Sequence, residues 1–224
     1  ERIIYSSDVP EIEPGVYGVS LRCGFSPGKY YIKVAYSKPN YASGYVPTHD
    51  VLVLNRPTSL QLVGIDPAPI EFALGFTKVY WGVYRIGFSF KFSDVVSLSS
   101  LSNVSAVAHL YKITPNGSLP MFDFEAIYDS VLEEYWFFIN VSDLSVGSYR
   151  LVVEFSKMNY EAQKFETTLV VVERPTTINL GSDYVSGYYN EIISVRFYLE
   201  DVINRSPVLL SAGDISVRTR DISS

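Results

Sequence analysis

The chain has 224 residues and a formal net charge of −6 at pH 7; 47% of it is apolar, 15% aromatic and 19% charged, against about 25% charged in an average domain. This length holds one large core or two ordinary ones, and such a composition excludes a disordered tail. No Lys or Arg run exceeds one residue and Cys23 is the single cysteine, which argues against a surface for phosphate backbones or anionic bilayers and excludes an intrachain disulfide or a thiolate metal cluster.

In chain order, a first strand is predicted near 15–22. Pro27-Gly28 then turns into Tyr30, Ile32, Val34 and Tyr36, whose period-two spacing sets one apolar face against Lys33 and Ser37, the mark of a half-buried strand. Strands follow near 49–54 and 58–63. Phe88, Phe90 and Phe92 alternate with Ser89, Lys91 and Ser93. The segments 106–114 and 120–128 flank Pro115-Asn116-Gly117-Ser118, a hairpin signal because Asn-Gly accepts the positive φ of a type I′ turn. Val131 to Glu134 makes one helical turn at most before a strand near 133–141. Val146-Gly147 turns into Tyr149, Leu151, Val153 and Phe155, set against Arg150, Glu154 and Ser156. Strands near 164–172 and 176–180, then Val195, Phe197 and Leu199, and finally 213–219 complete the list. Many short strands without an amphipathic helix predict an all-β sandwich.

The chain repeats itself. Gly28-Lys29-Tyr30-Tyr31-Ile32-Lys33-Val34 to Asn40-Tyr41 returns as Gly147-Ser148-Tyr149-Arg150-Leu151-Val152-Val153 to Asn159-Tyr160, and each copy runs on to Arg-Pro-Thr, at Arg56–Thr58 and Arg174–Thr176. A second pair links Phe88–Asp94 with Val195–Asp201, in the same apolar phase. A repeated unit marks an array built for length and stacking.

These motifs (Gly-x-Tyr, Asn-Tyr, Thr-x-x-Val, then Pro-Thr) resemble the end of a bacterial or archaeal immunoglobulin-like repeat of the tandem "Big" type, found in surface proteins. Thr176 to Val217 is similar to the front half of such a module. The resemblance implies tandem immunoglobulin-like β-sandwich modules, an extracellular cell-surface location and no catalytic residues. Two frames fit the repeat. In one, 1–55 is the back half of a module, 56–173 a complete one and 174–224 the front half of a further one. In the other, 1–115 and 116–224 are two complete modules. In the first frame the halves expose strand edges that invite pairing between chains.

The candidate chemistry is thin. Gly24-Phe25-Ser26-Pro27-Gly28 spells a nucleophile elbow, but an elbow leads into a helix and this segment leads into a strand; a tight turn is expected. His49 and His109 form no triad or zinc pattern, and His109 reads as a packed side chain. Cys23 reads as a small buried hydrophobe. Glu133-Glu134, Glu200-Asp201, Asp94, Asp183 and Asp214 read as solvated charge. Modules of the resembled kind sometimes bind calcium through loop oxygens; without an Asp-x-Asp-x-Asp-Gly string no cofactor is expected, calcium being the alternative. Asn103, Asn116, Asn140 and Asn204 head Asn-x-Ser sequons and are glycosylation candidates, with Asn103 and Asn116 favoured. Tyr30-Tyr31, Tyr80-Trp81, Tyr135-Trp136 and Tyr188-Tyr189 are aromatic pairs able to stack on sugars or dock on protein.

The expectation is a non-enzymatic structural segment of a surface-layer, filament or stalk protein. It would self-associate or space its neighbours, with no nucleic-acid partner and no membrane span in this segment. The alternatives are a carbohydrate- or protein-binding adhesive module, or an accessory domain of an extracellular hydrolase. The opening Glu1-Arg2-Ile3-Ile4 is no signal peptide and lacks a starting Met, as expected of a processed protein or a fragment.

Overall fold

The computed structural model describes residues 9–45, 49–73, 75–83, 85–180, 186–188 and 190–209, with the side chain of Leu180 left aside. Among them the chain is nearly all-β, as the alternation predicts, with one 3-10 turn at Val141–Asp143. No helix among the described residues is long and apolar enough to cross a membrane.

Residues before 56 form small ladders. β1 (Glu11–Glu13) pairs with β2 (Val16–Tyr17), β3 (Gly28–Ile32) with β6 (His49–Val53), and β4 (Ala35–Tyr36) with β5 (Gly44–Tyr45). The strand expected over 15–22 therefore shrinks to two residues, and the one over 30–36 breaks at Lys33–Val34.

Ten strands follow: β7 (Thr58–Asp66), β8 (Glu71–Ala73), β9 (Phe76–Tyr80), β10 (Ile86–Asp94), β11 (Ser105–Thr114), β12 (Gly117–Glu125), β13 (Ile127–Asp129), β14 (Glu134–Ile139), β15 (Gly147–Ser156) and β16 (Gln163–Val172). One sheet has the order β13-β14-β10-β7, the other β12-β11-β15-β16-β9-β8. Every pairing is antiparallel except β16 with β9, which runs parallel from Thr168↔Phe76 to Val172↔Tyr80. β8 and β9 are absent from the sequence-predicted strands. The alternation in Phe76-Thr77-Lys78-Val79-Tyr80 buries Thr77 and Val79, and a polar threonine at one of two inward positions hides the apolar period.

The two sheets lie face to face. The Phe155 ring of the second sheet sits 5.9 Å from Phe90, 5.4 Å from Phe92, 5.4 Å from Tyr135 and 5.9 Å from Phe137, all of the first. Every buried residue of this core belongs to 79–171. Both faces of β10 are covered. Phe88, Phe90 and Phe92 point inward, while Ser89 and Gly87 on the outer side are buried as well. A Cβ at Gly87 would stand 2.8 Å from Phe138 Cε1 and 3.2 Å from Trp136 Cε3, so glycine is what lets those two rings lie across the sheet. At the β11–β12 hairpin only Gly117 takes a positive φ, +125°. The expected type I′ turn needs two such residues, and Asn116 is not one of them.

After this unit, β17 (Thr176–Leu180), β18 (Phe197–Asp201) and β19 (Ser206–Pro207) form a three-stranded sheet. The strand predicted over 213–219 lies outside the described residues. Among the described residues, no second sheet packs on the apolar positions of the flanking segments. Phe197 is 39% and Tyr36 58% exposed, whereas their repeat counterparts Phe90 and Phe155 are fully buried. The shared phase expected from sequence thus makes a complete core only in the central copy.

Candidate functional site

Two local devices in the central unit recur in its flanks. In the first, a tyrosine opening a strand donates its phenol to a carbonyl four residues upstream: Tyr149 Oη to Ser145 O at 2.7 Å, and Tyr30 Oη to Ser26 O at 2.6 Å. The hairpins that follow share a register. Gly147 faces Val171 and Leu151 faces Thr167, as Gly28 faces Val53 and Ile32 faces His49. The Asn-Tyr turn repeats too, with φ +68° at Asn159 and +66° at Asn40, closed by Tyr160 N–H to Lys157 O at 3.1 Å and Tyr41 N–H to Lys38 O at 3.0 Å.

The second device is an Arg–Asp clasp. The Arg56 guanidinium pairs with Asp94 Oδ2, and Asp94 Oδ1 accepts the amides of Val96 at 2.8 Å and Ser97 at 3.1 Å. In the later copy Arg174 Nε lies 2.8 Å from Asp201 Oδ2, and Asp201 Oδ1 accepts Ile203 and Asn204 amides at 2.8 and 3.2 Å. Each clasp ends an antiparallel pair of one register: Thr58↔Asp94 and Leu62↔Phe90, against Thr176↔Asp201 and Leu180↔Phe197. Burial alone would push the Asp94 carboxyl up. The Ser97 and Val96 amides and the Arg56 guanidinium outweigh it and hold the group below the ordinary carboxylate value. Asp94 and Asp201, expected as solvated charge, have side chains only 2% and 11% exposed. Each closes the end of a strand pair, which sequence spacing alone does not reveal.

The central clasp also docks the entering chain. Arg56 N–H donates to Asn159 O and Arg56 O accepts Glu161 N–H, both at 2.9 Å. Thr58 Oγ1 donates to Glu161 O at 2.8 Å, and Gln163 Nε2 donates to Thr58 O at 3.1 Å. Entry thus lies at the start of β16, and exit follows its last residue, Val172. Ten residues of strand separate the two by about 30 Å.

The remaining candidates scatter. Ser26 anchors Tyr30, and β3 rather than a helix follows Gly28. His49 opens β6, while half-buried His109 reaches Asp123 across the β11–β12 ladder at 2.7 Å. Cys23 is exposed, not buried. Asp183, Asp214 and Tyr189 lie outside the described residues. Among the described residues no three His, Cys, Asp or Glu side chains gather to hold a metal.

Asn103, Asn116, Asn140 and Asn204 are all exposed, each in a turn or at a strand end. Tyr135 points inward and donates to Leu101 O at 2.7 Å; burial, aided by nearby Tyr128, pushes its phenol up to about 12. Its neighbour Trp136 points outward, stacked on Phe138 at 5.8 Å, with the Arg85 guanidinium 4.1 Å above the Phe138 ring. Trp81 is 46% exposed and donates its indole N–H to Leu144 O at 2.9 Å.

Compared with protein-family profiles and with curated proteins, the chain matches neither a family nor an individual protein.

Proposed function

We propose that this chain is a segment of a non-enzymatic, extracellular structural protein built from tandem immunoglobulin-like modules that space or assemble through their ends. The observation that carries the reading is that each device of the central unit recurs once in matching register, the tyrosine lock in the segment before it and the Arg–Asp clasp in the segment after it. A unit shaped for one site of chemistry has no need to be copied; a unit shaped for stacking does.

The strand order supports the immunoglobulin-like part. Named in the usual letters, β7, β10, β14 and β13 run A-B-E-D, while β12, β11, β15 and β16 run C′-C-F-G, with β9 closing parallel to G. A tyrosine locked to upstream backbone at the start of F belongs to that architecture. In this frame 56–173 is one module, 1–55 the back of another and 174–224 the front of a third. The exposed sequon asparagines carry glycans in this reading.

Limited proteolysis with small-angle scattering of the whole chain tests the proposal. A resistant fragment close to 56–173 within an elongated particle is the expected result. One compact particle cut evenly along its length contradicts it.

A second reading has its own observation. The Trp136–Phe138 stack with Arg85 makes an outward aromatic platform of the kind that stacks on sugar rings. A glycan-array signal abolished by Trp136→Ala would favour this adhesive role.

A further inference from the structure

We propose that the inner face of β17 and β18, uncovered among the described residues, is covered by the likewise uncovered inner face of β3 and β6 from a second copy of this chain, making a composite two-layer unit head to tail. The inference rests on the repeat reading above and adds the partner, the faces and the register.

The central unit supplies the template. There the β7–β10 pair packs on the β15–β16 hairpin, with Phe90 5.1 Å from Phe165 and Phe92 5.4 Å from Phe155. The flanks carry one piece of each kind, in matching registers. Phe197 and Leu199 stand at the places of Phe90 and Phe92, and Tyr36 at that of Phe155. Beside Tyr36 an open cleft is lined by Ala35, Ser37, Ser43, Gly44 and Tyr45. It adjoins the Asn40–Tyr41 turn, whose central counterpart receives the backbone of Arg56. Tyr160 in that counterpart packs on the core, while Tyr41 is 70% exposed. The docking the template dictates is Arg174 N–H of one copy donating to Asn40 O of the next.

One chain does not readily supply both pieces to itself. β6 ends three residues before Arg56 and β17 begins four residues after Val172, at entry and exit points about 30 Å apart along β16. Tethers of this length reach only about 10 to 14 Å each. Because the two joined faces differ, every added copy leaves one of each kind open, and such a contact propagates instead of closing.

Sedimentation of the unaltered chain over a concentration series, together with the variants Phe197→Glu and Tyr36→Glu, tests this. The unaltered chain is expected to form species beyond the dimer. Each variant alone blocks one face and stays monomeric, and the two mixed give a one-to-one dimer through the faces left intact. Tyr36→Phe, which installs the ring used at Phe155, retains the assembly of the unaltered chain and guards against a misfolded Tyr36→Glu. A chain that stays monomeric at every concentration overturns the proposal. So does a Phe197→Glu chain that assembles as before, or a variant mixture that stays monomeric while Tyr36→Phe assembles. A monomeric chain with a protease-resistant 56–173 fragment would remove the composite unit and leave the repeat reading standing.

Discussion

Tyr149 shows how one side chain fixes a corner of the fold. Its ring is fully buried in the core while its hydroxyl reaches back to Ser145 O. Tyr149→Phe keeps the ring and strands that carbonyl, so a loss of about 1–2 kcal/mol is expected in urea denaturation of the central unit. Two pH limits follow from single residues as well. The Asp94 carboxyl titrates below its ordinary 3.8 in the folded chain, so its contribution is complete above that value and disappears as pH falls through the lower folded one. A stability profile is expected to drop below about pH 4, with the drop reduced in Asp94→Asn. Tyr135 behaves oppositely. Its phenol rises from 10 to about 12, so its contribution holds below pH 10 and is lost between 10 and 12; Tyr135→Phe flattens that alkaline limb. The tyrosines were legible in the repeat, since Ser26–Tyr30 and Ser145–Tyr149 keep one spacing. The clasp aspartates were not, because an acidic residue at a strand end looks like any solvated charge until its arginine is placed beside it.

Among the elements, β10 was read most fully and β9 not at all. Three phenylalanines at alternate positions announce the inner face of β10, and all three are buried. The cover over its outer face was invisible in sequence, because Trp136 and Phe138 come from another strand and meet Gly87 only through pairing. Phe90→Ala empties the meeting point of four rings and is expected to cost about 3–5 kcal/mol in the central unfolding transition. Phe197→Ala, the same change at an exposed ring outside that core, should leave that transition within about 0.5 kcal/mol. Equal losses at the two sites would contradict the difference in their surroundings.

For the molecule as a whole, alternation sufficed to predict a nearly all-β chain. It could not show that Tyr36 and Phe197 lie exposed while Phe155 and Phe90 are buried, since a strand carries the same apolar phase whether or not a partner arrives. The central claim is that one complete two-layer unit stands between two halves built on its plan. Hydrogen exchange of the intact chain, followed peptide by peptide at low and high concentration, tests it most directly. At high dilution, slow exchange should be confined to the 58–172 unit and centred on the doubly paired strands β10, β11, β14, β15 and β16. β3, β6, β17 and β18 should exchange quickly there and slow together as concentration rises. Protection of β3 and β18 equal to that of β15 at high dilution, or fast exchange throughout β10 and β15, would contradict the account.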